Sequence, residues 1–79
     1  MKPDNLRPYL RATPFKPFEL HLENGGVIPV RHPELVSQSP DGWTLILWTS
    51  ESTHAVVEMD SVTRLEVQHG GGQKSAGKT

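Results

Sequence analysis

The stretch Phe18-Glu19-Leu20-His21-Leu22-Glu23-Asn24-Gly25 decides the fold class of this chain. Phe18, Leu20 and Leu22 alternate with polar residues, which is the period of a strand with one buried face. Asn24-Gly25 follows directly and is a strong signal for a β-hairpin, because both central residues of a type I′ turn need positive φ. We therefore predict a strand over residues 18–23 that turns back into a second strand.

Four further strands are predicted from the remaining apolar segments, at residues 27–31, 43–48, 54–59 and 62–67. The second strand carries apolar residues on both faces, so the pattern leaves open which set faces inward. Pro29 cannot donate a backbone hydrogen bond, which places this strand at a sheet edge or a bulge. The polar segments 37–42 and 49–53 are predicted to be loops.

A short helix is predicted before the first strand, over residues 4–12. Asp4 or Asn5 offers a side-chain oxygen to cap it, and Pro8 is tolerated if it lies in the first turn. Three apolar residues have the spacing of one helical face, namely Leu6, Tyr9 and Leu10. Pro14 ends the helix, because the residue before a proline is pushed out of the α region.

The length and composition bound the architecture. The chain has 79 residues, of which 34% are hydrophobic, so we expect one small domain with a thin core, over residues 4–67. Residues 68–79 are rich in Gly and Lys and nearly free of apolar side chains, which predicts a disordered tail. Closing five strands into a strongly bent small barrel would leave few exposed edges. We therefore predict a mainly β fold, with one short N-terminal helix and a five-stranded barrel.

Charge and residue usage exclude several classes of function. Eight Lys and Arg stand against nine Asp and Glu, giving a net charge of −1, whereas a nucleic-acid binder usually carries a basic footprint. The absence of cysteine excludes disulfides and thiol chemistry and favours a cytoplasmic protein. The longest apolar run, Leu45-Ile46-Leu47-Trp48, is far shorter than a membrane span. We expect no membrane partner.

Several motifs resemble known small barrels. Leu20-His21-Leu22-Glu23-Asn24-Gly25 resembles the first hairpin of Sm-like and SH3-like barrels, and residues 56–67 resemble their last two strands with the link between them. Pro14-Phe15-Lys16-Pro17-Phe18, followed by Asn24-Gly25 and His32-Pro33-Glu34, is similar to the pattern of a family of small uncharacterised bacterial proteins. The resemblance implies an Sm-like fold over about residues 6–67 and, by analogy, self-association.

The resemblance transfers no RNA-binding residue. Sm-like proteins carry an acidic–Asn pair after the third strand, where this chain has Thr49-Ser50-Glu51-Ser52. The Arg-Gly of the second Sm motif is replaced by Asp60-Ser61. A fold of this kind also hosts unrelated functions. Fold resemblance alone therefore does not predict a ligand.

Two patterns match ligand sites but lack the context that those sites need. Residues 72–79 match the P-loop pattern GxxxxGK[ST], but the phosphate-binding helix would have to follow Thr79, so we interpret this match as part of the tail. The histidines lack the spacing of a compact metal site; they are His21, His32, His54 and His69. Glu19 and Glu23 flank His21, which a mixed-charge surface explains. We predict no metal, no cofactor and no catalytic residue.

His32-Pro33-Glu34 could form an acid–base pair, but no nucleophile is spaced to join it. We interpret this triplet as the end of the second strand. Trp43 and Trp48 are an odd number of positions apart on one predicted strand, so one is predicted to face inward and the other outward. An outward tryptophan is typical of an interface, although the N-terminal helix could also cover it.

The sequence therefore predicts a small non-enzymatic interaction module that binds a protein or peptide, or a second copy of itself. A weak single-stranded RNA or DNA binder, with a tryptophan stacking on bases, is the alternative. The predicted interaction surface comprises six residues: Tyr9, Pro29, His32, Glu34, Trp43 and Trp48.

Overall fold

The computed structural model describes residues 1–68, which form one helix and six strands. The elements in chain order are α1 (Pro3–Leu10), β1 (Phe18–Leu22), β2 (Val27–Val30), β3 (Val36–Gln38), β4 (Thr44–Trp48), β5 (His54–Glu58) and β6 (Val62–Val67). Single turns of 3₁₀ helix, Pro33–Leu35 and Met59–Ser61, precede β3 and β6. The P-loop match and nearly all of the predicted tail lie outside the described residues.

The strands form two antiparallel sheets of three strands each, with the orders β2-β1-β6 and β3-β4-β5. The predicted hairpin is confirmed, but its turn is not the predicted type I′ turn: Glu23 and Asn24 occupy the central positions, and Gly25 follows them with a positive φ. Gly25 has a φ of 88°, the amide of Gly25 donates to the carbonyl oxygen of Leu22 at 3.0 Å, and Asn24 Oδ1 accepts from the amide of Gly26 at 2.8 Å. The turn thus sets the register in which Leu20 faces Ile28.

The core lies where the inner faces of the two sheets and the helix meet. Leu20 is buried on β1, as its alternation predicts, and Leu45 and Leu47 are buried on β4. On β2, Val30 is buried and Ile28 is half-buried, which identifies the inward set that the pattern left open. The buried apolar residues are Leu6, Phe18, Leu20, Val30, Leu45, Leu47, Val57, Met59 and Val62.

The prediction of five strands closed into a barrel is wrong. β3 is an additional strand, with Val36 opposite Leu47; at three residues and with Ser and Gln in it, it is too short to show an alternation. Within residues 1–68 the sheets remain separate, and β5 pairs only with β4. The amide of Met59 donates to the carbonyl oxygen of Trp43 at 2.7 Å, in register with the β4–β5 pairing, and the 3₁₀ turn Met59–Ser61 then leads the chain to β6 in the other sheet.

The helix begins one residue before its predicted start and ends two residues before its predicted end. Contrary to the prediction from the sequence, its N-terminus is not capped by Asp4 or Asn5. Pro3 occupies the first helical position and Lys2 caps without a side-chain hydrogen bond, because the fixed φ of proline suits that position. The carboxylate of Asp4 instead accepts from Arg7 Nη1 at 2.6 Å. Pro8 lies inside the helix, beyond the first turn. Among the described residues, no helix has the length and apolarity needed to cross a membrane.

Candidate functional site

The outward side of the β3-β4-β5 sheet carries an apolar surface, which we call the outer face. Every second residue of the two neighbouring strands points to this side. These residues are Thr44, Ile46 and Trp48 on β4, and His54, Val56 and Glu58 on β5. Ile46 and Val56 lie directly opposite each other and are 38% and 61% exposed. Exposed apolar residues that are contiguous, unlike isolated ones, mark candidate binding surfaces.

Trp48 extends the outer face towards the end of β4. Its indole packs on the imidazole of His54, directly opposite on β5, with ring centroids 5.0 Å apart. Trp48 also lines a groove of about 100 Å³ together with Pro29, Arg31 and Leu35. The structure therefore brings two predicted interface residues, Pro29 and Trp48, together from different sheets.

The prediction that one tryptophan faces inward is wrong. Trp43 and Trp48 are 39% and 42% exposed. Trp43 precedes β4, so the alternation of the strand does not apply to it. Its backbone is nevertheless held: its amide donates to Asp41 Oδ1 at 3.0 Å, and its carbonyl oxygen accepts from the amide of Met59.

The turn before Trp43 is stabilised by one carboxylate. Asp41 Oδ1 accepts from the hydroxyl of Ser39 at 2.7 Å and from the amide of Trp43. These two donors, the Ser39 hydroxyl first, lower the pKa of Asp41 below its ordinary value, because hydrogen bonds to the charged form favour that form. The turn that presents Trp43 is thus defined by side-chain hydrogen bonds.

Three other predicted interface residues, Tyr9, His32 and Glu34, are not part of the outer face. His32 and Glu34 are exposed at the 3₁₀ turn that follows β2. Tyr9 lies on α1, with its ring 6.1 Å from that of Phe18 in an edge-on arrangement. It lines a different groove, of about 500 Å³, beside Pro14. The six predicted residues do not form one site.

Sequence reasoning missed Ile46 and Val56. A signal for both was present, because Ile46 shares the parity of Trp48 and Val56 shares that of His54. What the sequence does not show is that β4 and β5 pair in a register that places Ile46 against Val56. The cross-strand register therefore turns two isolated apolar residues into one surface.

The edge of β5 opposite β4, which pairs with no other strand of residues 1–68, borders a third groove, of about 300 Å³. The tip of the β1–β2 hairpin forms one wall and β5 the other; the lining residues are Leu22, Glu23, Asn24, Val56, Val57, Glu58 and Ser61. An edge strand presents backbone donors and acceptors that another strand can satisfy. Within residues 1–68 the outer face thus continues into a strand that pairs on one side only.

Comparisons of this chain with models of protein families, with curated proteins and with solved structures found no match.

Proposed function

We propose that this protein is a non-enzymatic interaction module that self-associates through β5. The observation that carries the proposal is the exposed Ile46–Val56 pair beside a strand that pairs only with β4 within residues 1–68. Strand addition at such an edge contributes main-chain hydrogen bonds, and the neighbouring apolar side chains contribute burial. The fitting occupant is a second copy of this chain.

Polar complementarity along β5 favours the second copy. If two β5 strands pair antiparallel about a two-fold axis at Val56, each Val56 faces its own equivalent and His54 faces Glu58 of the second copy. The axis repeats this contact, as in any isologous interface. The two outer faces then join into one six-stranded surface with Ile46 and Val56 in its middle. An imidazole N–H can donate a hydrogen bond to a facing carboxylate, whereas two like charges directly opposite each other destabilise an antiparallel ladder.

An Sm-like or SH3-like fold is part of the same proposal. The supporting features are the order of elements, from the N-terminal helix through the Asn24-Gly25 hairpin to the single-turn link at Met59–Ser61. Buried apolar side chains fill the space between the two sheets and leave little interior volume for a substrate. The groove volumes beside β5 and Trp48 are in keeping with binding at an edge or a face.

A charge-swap series measured by sedimentation velocity, up to millimolar concentration, tests the proposed pairing. His54→Glu places two carboxylates opposite each other at both ends of the pairing, so we expect association about 5- to 30-fold weaker than that of the parent. The double variant His54→Glu/Glu58→Lys restores opposite charges and should recover association. A parent protein that stays monomeric, or a double variant no better than His54→Glu, would contradict the proposal.

One observation favours the alternative, single-stranded nucleic acid. Trp48 and Arg31 line the same groove, which pairs a stacking surface with a cation for phosphate. Fluorescence anisotropy with a labelled oligouridylate tests it: Trp48→Ser should abolish binding, Trp43→Ser should not, and affinity should fall steeply with salt. Absence of binding at low salt would eliminate this alternative.

A further inference from the structure

Three side chains with metal-ligand chemistry meet on the outward side of the β2-β1-β6 sheet. Glu19 and His21 share that side of β1, and Glu66 on β6 lies directly opposite Glu19. His21 Nε2 lies 3.2 Å from Glu66 Oε1 and 3.5 Å from Glu19 Oε1. All three ligand atoms fall within 4.8 Å of one another.

The imidazole nitrogen in this cluster has no hydrogen-bond partner. His21 Nε2 is buried and accepts or donates no hydrogen bond among residues 1–68, although the two carboxylate oxygens are close. A buried polar atom that stays unpaired costs folding free energy, so native proteins satisfy nearly all of them. A cation between Nε2 and the two oxygens would satisfy this nitrogen.

A cation between the two inner carboxylate oxygens would also offset the repulsion between Glu19 and Glu66, in addition to the guanidinium of Arg64 on the outer oxygen of Glu66. Like charges directly opposite on an antiparallel pair are destabilising, and Glu19 and Glu66 occupy such a pair. Each is held by its other oxygen: Glu19 Oε2 accepts from Gln68 Nε2 at 3.1 Å, and Glu66 Oε2 accepts from Arg64 Nε at 2.9 Å. These contacts leave both Oε1 atoms turned towards His21, as hydrogen bonds to the other oxygen orient carboxylates that bind a metal.

We propose that Glu19, His21 and Glu66 bind a divalent transition-metal cation of the zinc class. Tetrahedral zinc with ligands at about 2.0–2.2 Å separates its ligand atoms by about 3.3–3.6 Å, which agrees with the 3.2 and 3.5 Å found here. Three protein ligands leave a fourth position open to water. One imidazole suits zinc better than calcium, which takes six to eight oxygen ligands.

Calorimetric titration of the metal-free full chain with Zn²⁺ tests the site. We expect one ion to bind per chain in a saturable manner, and both His21→Gln and Glu66→Gln to lower the affinity at least tenfold. His32→Gln is the matched control, because His32 is exposed at the start of the 3₁₀ turn after β2 and is not part of the cluster; the affinity of this variant for Zn²⁺ should stay within about twofold of that of the parent. Visible absorption of the Co²⁺-loaded protein should show the intense bands of a tetrahedral site.

Glu66→Gln keeps the experiment decisive if His21→Gln fails to fold, because the Glu66 side chain is half exposed and the substitution preserves its shape. Absence of saturable Zn²⁺ binding would overturn the proposal. So would binding that Glu66→Gln leaves unchanged, or that His32→Gln weakens as much as Glu66→Gln does.

Discussion

Gly42 lies against Pro3, so closely that a Cβ atom at position 42 would stand 2.8 Å from the Cβ of Pro3. The same atom would lie 2.9 Å from Arg7 Nη2. This contact packs the first turn of α1 on the turn that leads into β4. The backbone of Gly42 also has a φ of 81°, so two separate constraints require glycine here.

Gly42→Ala is expected to destabilise the protein more than Gly25→Ala. Both glycines have positive φ, but a Cβ at Gly25 would meet nothing within 4 Å. Gly25→Ala should therefore cost only the left-handed backbone penalty, about 1–2 kcal/mol, whereas Gly42→Ala adds displacement of α1. Urea unfolding of both variants measures the difference. Equal free energies of unfolding would show that α1 moves away at no cost.

Leu20→Ala should destabilise the protein more than Leu65→Ala. The two leucines lie directly opposite each other on β1 and β6, but Leu20 is fully buried and Leu65 only partly. A leucine-to-alanine change at a buried position costs about 2–5 kcal/mol, a large share of the stability of a small domain. Thermal unfolding of both variants tests this order, and the reverse order would place Leu65 in the core.

Trp48→Ser should weaken self-association and leave the fold intact, whereas Trp43→Ser should leave the oligomer mass unchanged. The two tryptophans are almost equally exposed, so each variant is a control for the other. Only Trp48 adjoins the proposed interface, through its contact with His54. Far-UV circular dichroism establishes folding and light scattering gives the mass. An equal loss of mass in both variants would point to a general effect of removing exposed apolar area.

Ser39→Ala should raise the pKa of Asp41 towards its ordinary value, because the Ser39 hydroxyl is the main cause of its lowering. A carboxylate with a lowered folded-state pKa stabilises the fold above its unfolded pKa, about 3.9. That stabilisation is lost as the pH falls through the folded-state pKa. Carboxyl-carbon NMR titration of parent and variant measures the shift. An unchanged titration would assign the lowering to the amide of Trp43.

Local pattern predicted those elements whose side chains alternate over five or more residues. Phe18 and Leu20 on β1 are buried as expected, and Asn24-Gly25 located the hairpin, although the central residues of its turn are Glu23 and Asn24. β3 was missed because three residues cannot establish a period, and because the turn residues of segment 37–42 are the stronger local signal. Its strand character comes from pairing with β4.

The candidate sites depended on information that a single strand does not contain. Glu19 and Glu66 are far apart in sequence, and they meet only because β1 pairs with β6 in one particular register. A register irregularity between His21 and Leu22 shifts the pairing further along β1. Ile46 and Val56 depend in the same way on the β4–β5 register. Parity predicts which face a residue occupies, but tertiary pairing decides its neighbours.

The link Met59–Ser61 contacts both sheets, and this governs how the domain opens. Met59 is buried and its amide bonds to Trp43 at the start of β4, while the carbonyl oxygen of Ser61 accepts from the amide of Glu23 at the end of β1. Separating the two sheets would expose a core to which both contribute, including Leu20 of β1, Leu47 of β4 and Met59 of the link itself. Subglobal opening of one sheet is thereby suppressed, so amide hydrogen exchange at Leu20 and at Leu47 should report one and the same cooperative free energy.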